Sequence, residues 1–293
     1  MSPLLSRRAV MIGAVAALAS RPSWSADGGI QARFRELESD VGGRLGVAAL
    51  DMENDRRIDY RSASLFPMCS TYKVLLVGAV LSKVDHGKET LERPMTLTQA
   101  DMLDYAPDAK QVLAKGRITI AEACISAILD SDKTAANLLL SSIGGPGALT
   151  LFARELGDKT THLDRNEPFL DEAAPGDARD TTSPAAMLNN LGQLLLTDAL
   201  SQRSRDLLIK WMVDCRTGQA KLRAGLPADW KIGDKTGIGA HGTNNDIAIA
   251  WPTGRKPLLI SAYLTATEAP LASRNKVLAE VGRLIAAEMI SGS

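Results

Sequence analysis

The sequence predicts an α+β fold: an antiparallel sheet, assembled from both ends of the chain and packed between helices, with an all-helical insertion. Two observations predict it. Short strand-like runs lie near the two ends, and the long stretch between them carries helical patterns. The tight Pro252-Thr253-Gly254-Arg255-Lys256-Pro257 link makes the last two strand runs a hairpin.

Taken in order, residues 1–25 read as an export signal peptide. Arg7 and Arg8 supply the charged start, 9–19 the apolar core, and Ser23-Trp24-Ser25 before Ala26 a small-x-small cleavage site. Ser6-Arg7-Arg8 also resembles a twin-arginine signal. The apolar run is too short for a permanent bilayer anchor. An amphipathic helix is expected at 30–40, then strands at 45–52 and 57–61 joined by the turn Glu53-Asn54-Asp55. From Thr71 to about Cys215 the pattern is helical, broken at Pro94, Pro107, the Gly144-Gly145-Pro146-Gly147 cluster and Pro184. Strands return at 230–236, 246–251 and 258–265, and a helix closes the chain at 271–290. Residues 26–68 and 215–293 thus form a discontinuous α/β domain, and 69–214 an all-helical one. A site is expected in the cleft between them. The segment 165–180 is a long irregular loop of the kind compact domains reserve for function, and Arg165 and Asp180 at its ends can pair to close it.

At 293 residues, with 45% hydrophobic and 23% charged residues, the composition is that of a soluble globular protein. Lys+Arg and Asp+Glu balance at 34 each, which points to neither nucleic acid nor a membrane surface. Removing the leader with Arg7, Arg8 and Arg21 leaves 31 basic residues against 34 acidic, a slightly acidic exported protein, periplasmic or secreted. Cys69, Cys124 and Cys215, odd in number and widely spaced, suggest buried free thiols. No C-x-x-C or H-x-x-x-H pair exists, so no metal site or cofactor is expected. A monomer is the default.

The chemistry starts at Ser70 and Lys73, which open a long apolar helix in the run Pro67-Met68-Cys69-Ser70-Thr71-Tyr72-Lys73-Val74-Leu75-Leu76-Val77. Positions i and i+3 share a helix face, so the amine can reach the hydroxyl. A serine hydroxyl needs such a neighbour to become a nucleophile, and a helix N-terminus favours an oxyanion. Ser-x-x-Lys is common by chance, and a helix-start serine is often a cap. Three further pieces follow in order: Ser131-Asp132-Lys133 before a helical run, Glu167-Pro168 in the long loop, and Lys235-Thr236-Gly237 at a strand end. Singly, each has a plain structural reading: Ser131 a helix cap, Glu167 a turn residue, Lys235 a solvated charge, Tyr105 a half-buried aromatic.

Together they resemble the class A serine β-lactamases, whose S-x-x-K, S-D-N and K-T-G elements occur in this order. The resemblance covers nearly all of the mature chain, and Arg179-Asp180-Thr181-Thr182-Ser183-Pro184 and Ala224-Gly225-Leu226-Pro227-Ala228-Asp229-Trp230 are similar to family text. It implies a β-lactamase/transpeptidase-like fold and hydrolysis of β-lactam antibiotics. Ser70 would attack the lactam carbonyl, with Lys73 and Glu167 the candidate bases; Glu167 would activate the deacylating water, and Ser131 would pass a proton to the ring nitrogen. The oxyanion would lie between the N–H groups of Ser70 and Ile238. Tyr105, Lys133, Asp171, Lys221, Lys235, Thr236 and Gly237 would bind substrate, Lys235 with Thr236 as the carboxylate anchor. Glu167-Pro168 is a candidate cis peptide.

Four places depart from the family pattern. Lys133 stands for the Asn of S-D-N, keeping a donor and losing an acceptor. Asp171 stands where the family usually has an Asn, adding a negative charge that raises a neighbouring carboxyl. The two substitutions can offset each other. If Lys133 pairs with Glu167 it ties up the base, and Lys133→Asn is then expected to raise penicillin turnover. Asn244 and Lys221 occupy the two places from which the family supplies an arginine. Gly239 stands where the cysteine that pairs with Cys69 in carbapenem-hydrolysing members would be. Two other functions compete: a D,D-peptidase-like penicillin-binding protein, disfavoured by Glu167, and a β-lactam binder or sensor that is acylated but not released.

Overall fold

Strands from both ends of the chain meet in one sheet, as the strand-like runs require. The computed structural model describes residues 26–290, and the expected export signal, 1–25, lies outside them. Helix α1 (Ala26–Val41) leads into β1 (Arg44–Asp51), β2 (Arg57–Tyr60) and the two-residue β3 (Phe66–Pro67). A 3-10 turn, Cys69–Thr71, enters α2 (Tyr72–Asp85). Then come β4 (Pro94–Thr96), α3 (Ala109–Val112), β5 (Arg117–Thr119), α4 (Ile120–Leu129), α5 (Lys133–Ile143) and α6 (Pro146–Glu155). The long loop holds a 3-10 turn, Phe169–Glu172, and runs into β6 (Thr181–Thr182), α7 (Pro184–Leu196), α8 (Gln202–Val213) and α9 (Leu222–Gly225). Strands β7 (Lys231–Ile238), β8 (Asn244–Trp251) and β9 (Leu258–Thr265) precede α10 (Leu271–Ile290).

The sheet order is β2-β1-β9-β8-β7 with every neighbour antiparallel. Both faces are covered, so β9 is buried along its whole length and reads as a continuous apolar run. One face packs Leu45, Val47, Ile260 and Leu264 against Phe34 of α1 and Val281 and Ile285 of α10. The other sets Ala48, Ile247, Ile249, Leu259 and Tyr263 into a core shared with α2, α7 and α8. Helix α2 is the centre of that core: Tyr72 to Leu81 are all buried. Each fully buried leucine there contributes roughly 1.5–3 kcal/mol of transfer free energy. At Gly78 a Cβ would come 2.8 Å from Leu194 Cδ2, so glycine lets α7 lie this close to α2.

Three details differ from the sequence reading. Ser70 precedes α2, in the 3-10 turn, rather than opening the α-helix. The stretch expected to be helical throughout also contains the small β4–β5 ladder and β6, which pairs with β3 just before it; all are too short to carry a period. The cap of α5 is Asp132 and not Ser131. Its carboxylate accepts from Ala135 N at 2.8 Å, Ala109 N at 2.9 Å and Asp108 N at 3.1 Å, and the residue is fully buried. Ser131 instead takes the left-handed conformation, φ 62°, which turns its side chain away from a capping role.

Asp132→Ala strands those N–H groups and is expected to cost about 2–4 kcal/mol in chemical denaturation, whereas Ser131→Ala should cost under about 1 kcal/mol. An equal cost for the two variants would contradict the assignment of the cap.

Candidate active site

Ser70 is held by the turn it sits on. Asn245 of β8 donates through Nδ2 to Pro67 O at 2.9 Å and Met68 O at 3.1 Å. Met68 N donates to Asp180 O at 2.9 Å. Thr71 Oγ1 donates to Met68 O at 2.8 Å and meets Tyr263 Oη of β9 at 3.0 Å. Cys69 is held at φ 44°, a conformation that non-glycine residues rarely adopt. Gly237 allows β7 to press on this turn, since a Cβ there would stand 2.8 Å from Met68 O. The Ser70 N–H lies in the first turn of the 3-10 segment, where no preceding helical carbonyl is available to it.

Lys73 is fully buried one turn on. Its ammonium donates to Ser70 Oγ at 3.0 Å and to Ser131 O at 2.8 Å, lies 3.3 Å from Ser131 Oγ, and faces Glu167 Oε1 at 3.0 Å. Lys235 of β7, also fully buried, donates to the same Ser131 hydroxyl at 3.0 Å and to Thr236 O at 2.9 Å. The Ser131 hydroxyl therefore stands between two ammonium groups. Thr236 Oγ1 meets Thr217 Oγ1 at 2.6 Å.

Glu167 comes from the long loop, and two clamps aim it. Arg165 Nε donates to Asp180 Oδ2 at 2.6 Å, and Asp180 Oδ1 accepts Asp164 N and Arg165 N at 2.8 and 2.9 Å, closing the loop at its base. Asn137 of α5 grips the Glu167 backbone on both sides, Nδ2 to Glu167 O at 2.9 Å and Oδ1 from Glu167 N at 3.0 Å. The Glu167–Pro168 peptide is cis. Ser70, Ser131, Lys133, Thr217 and Thr236 line a cleft of 310 Å³, with Tyr105 and Ile238, each about half exposed, also in its wall. A larger groove of 690 Å³ beside α7 contains none of Ser70, Lys73, Ser131, Glu167 or Lys235. Chemistry, not size, locates the site.

A serine joined to a buried lysine, a second serine between that lysine and Lys235, and a loop carboxylate form a geometry suited to acyl transfer. Residues 29–289 match the family described as "Beta-lactamase enzyme family". β-Lactamase CTX-M-8 of Citrobacter amalonaticus is 41% identical over 92% of this chain and 92% of its own length. OXY-1 of Klebsiella oxytoca is 41% identical over the same shares. The solved class A β-lactamase of the last common ancestor of Gram-negative bacteria is 52% identical, with a TM-score of 0.88 over 89% of this chain and 99% of that one. The putative class A β-lactamase PenP of Rhodopseudomonas palustris is 49% identical, with a TM-score of 0.87 over 88% and 99%. The chain belongs to the class A β-lactamases.

In this β-lactamase the two departures from the family pattern meet each other. Lys133 Nζ lies 2.5 Å from Asp171 Oδ2 and 3.6 Å from Glu167 Oε2. The first partner of Lys133 is therefore Asp171, with Glu167 second. Burial works against Glu167 ionising, but Lys73 and then Lys133 outweigh it and hold the carboxyl below the ordinary range. Burial and the Glu167 charge push Asp171 up to about 6. The like-charge effect expected from sequence thus falls on Asp171 instead of on Glu167. Burial lowers Lys235 to about 8. The Glu167 oxygens are buried and meet the ammonium groups as ion-pair contacts without an aligned hydrogen bond.

Some expected binding residues stand elsewhere. Tyr105, Lys133 and Thr236 line the cleft, whereas Asp171, Lys221, Lys235 and Gly237 are not among its lining residues. Lys221 is buried, donates to Asn245 O at 3.2 Å and is lowered by burial to about 8. Asn244 is buried and donates to Asn275 Oδ1 at 3.1 Å. Cys69, Cys124 and Cys215 are buried free thiols. Asn137 and Thr217 were not singled out from sequence. Asn137 lies four residues after Lys133 in α5, a spacing that shares a helix face and was the available signal; Thr217 offered none.

Asn137→Ala removes both bonds to the Glu167 backbone and is expected to cost about 1–3 kcal/mol, with faster amide exchange through 165–172 than in the wild type. Unchanged exchange in that segment would show that the loop is held without Asn137.

Proposed function

We propose that this β-lactamase is exported and turns over β-lactams through an ester on Ser70 that is released by water activated at Glu167. One observation carries the reading: Ser70, Lys73 and Glu167 lie in a continuous chain of 3.0 Å contacts. Whether Lys73 or Glu167 is the first base, the proton leaving Ser70 is taken up by this pair. Ser131, between Lys73 and Lys235, is placed to hand a proton to the departing ring nitrogen. The N–H groups of Ser70 and Ile238 would receive the oxyanion. The buried Glu167 oxygens, not spent on aligned hydrogen bonds, suit the acceptor of a water proton. Export rests on the 1–25 sequence. Among the described residues no single helix is long and apolar enough to cross a membrane. We assign the protein as a monomer acting in the periplasm or outside the cell.

Ser70→Ala should lose both turnover and covalent penicillin labelling. Glu167→Ala should slow deacylation by about 10²–10⁴, so that an acyl-enzyme accumulates in intact mass spectra. An adduct on the Ser70 variant, or wild-type turnover by the Glu167 variant, would sink the respective role.

A second reading has one observation in its favour: Glu167 lies within ion-pair reach of two ammonium groups, which weakens it as a base. That would make a binder that is acylated and held. A burst of one equivalent from a chromogenic cephalosporin marks the binder, and continuous turnover the hydrolase.

The carboxylate anchor sets a pH limit. Lys235, lowered to about 8, binds an anion only while protonated, so kcat/KM for a penicillin should fall as pH rises above about 8. Lys235→Arg, whose guanidinium keeps its proton, should carry the alkaline limb to higher pH. A limb that stays put in this variant would assign it to another group.

A further inference from the structure

Four charged groups alternate in sign across the floor of the site: Lys73, Glu167, Lys133 and Asp171. The contacts are 3.0 Å from Lys73 to Glu167 Oε1, 3.6 Å from Lys133 to Glu167 Oε2, and 2.5 Å from Lys133 to Asp171. We propose that Asp171 is a positioning residue that tethers Lys133 and keeps its ammonium from closing on Glu167. The proposal rests on the reading of Glu167 as the deacylating base.

The tether joins two elements that each have their own anchorage. Lys133 begins α5, and its N–H donates to Tyr105 O at 3.0 Å. Asp171 lies in the 3-10 turn of the long loop, where its carbonyl accepts Ala240 N at 2.9 Å from the β7–β8 connection. Neither backbone can drift, so the side chains decide the pairing. The groups facing Asp171 are Lys133 from α5, Glu167 from its own loop, Lys73 from α2 and the Cys69 thiol from the turn before it. Those facing Glu167 are Lys73, Lys133, Asp171 and the Tyr72 hydroxyl. Lys133 is within ion-pair reach of both anions on a long flexible stem, whereas the ion pair of Lys73 is with Glu167. Remove the Asp171 charge and Glu167 is the nearest remaining anion, already within ion-pair reach. A carboxylate gripped by two ammonium groups holds protons poorly and is a weaker base. Remove the Lys133 charge alone, and Asp171 confronts Glu167 with no cation between them, which raises the pH at which Glu167 ionises. Removing both leaves a neutral pair and returns Glu167 to Lys73 alone.

The test is a double-mutant cycle of Lys133→Asn and Asp171→Asn in the full enzyme, with kcat for one penicillin measured against pH and acylation measured by stoichiometric labelling. Asp171→Asn should lower kcat about tenfold or more, with labelling retained, and move the acid limb about one pH unit lower. Lys133→Asn should move the acid limb about one unit higher. In the Asp171→Asn background the same Lys133→Asn change should raise kcat and bring the limb back toward wild type. Asp171→Glu, which keeps the charge, should stay nearer wild type than Asp171→Asn does. A wild-type kcat and acid limb in Asp171→Asn would overturn the proposal, as would a Lys133→Asn change that fails to restore kcat in that background. If Asp171→Asn does not fold, the other two variants decide: an acid limb that fails to rise in Lys133→Asn and return in the double variant overturns it. Wild-type turnover and Glu167→Ala mass spectra test the underlying reading separately, so a working loop base with silent Asp171 variants defeats the tether alone.

Discussion

The site depends on one electrostatic constraint: its charges are buried, and buried charges persist only when paired. Lys73 and Lys235 are fully buried and Glu167 nearly so. Taken singly, each would shed its charge by shifting its pKa. Held together, the Lys73 ammonium is answered by Glu167, and both lysines spend donors on Ser131 and on backbone carbonyls. Ser131 can serve both lysines because it sits in a left-handed turn and leaves the capping of α5 to Asp132. Contacts of 3.3 Å or less link Ser70, Lys73, Glu167 and Ser131.

Such a cluster needs rigid walls, and the chain supplies them from distant segments. The turn bearing Ser70 is fastened by Asn245 of β8 and Tyr263 of β9. The sheet formed by the chain ends thereby fixes Ser70 at the mouth of the helix that it precedes. Asp180 then ties the base of the long loop to the same turn through Met68 N, so the nucleophile and the loop carboxylate share one frame. Asn137 completes that frame from α5.

Lys133 and Asp171 show how two departures from a family pattern can form one device. An isolated lysine beside Glu167 would lower its basicity, and an isolated aspartate would raise its proton affinity. At 2.5 Å from each other they offset in part, and the net charge of the site is unchanged. The pair also joins α5 to the loop at a partly buried position, where opposite charges are screened less than at the surface.

Much of this was legible in the sequence. The strands at both ends, the hairpin, the final helix and the order Ser70, Lys73, Ser131, Glu167, Lys235 are local or family signals, carried by periodicity, turn residues and motif spacing. Other features were not. That Asp132 rather than Ser131 caps α5 depends on a backbone torsion. That Lys235 is buried depends on β7 packing against the Ser70 turn. That Lys133 chooses Asp171 over Glu167 depends on about an ångström of side-chain reach. The residue types set which charges exist and which motif they belong to. Only the tertiary structure decided which of those charges touch, because Coulomb energy and hydrogen bonding depend on distance and burial, and neither is a property of position along the chain.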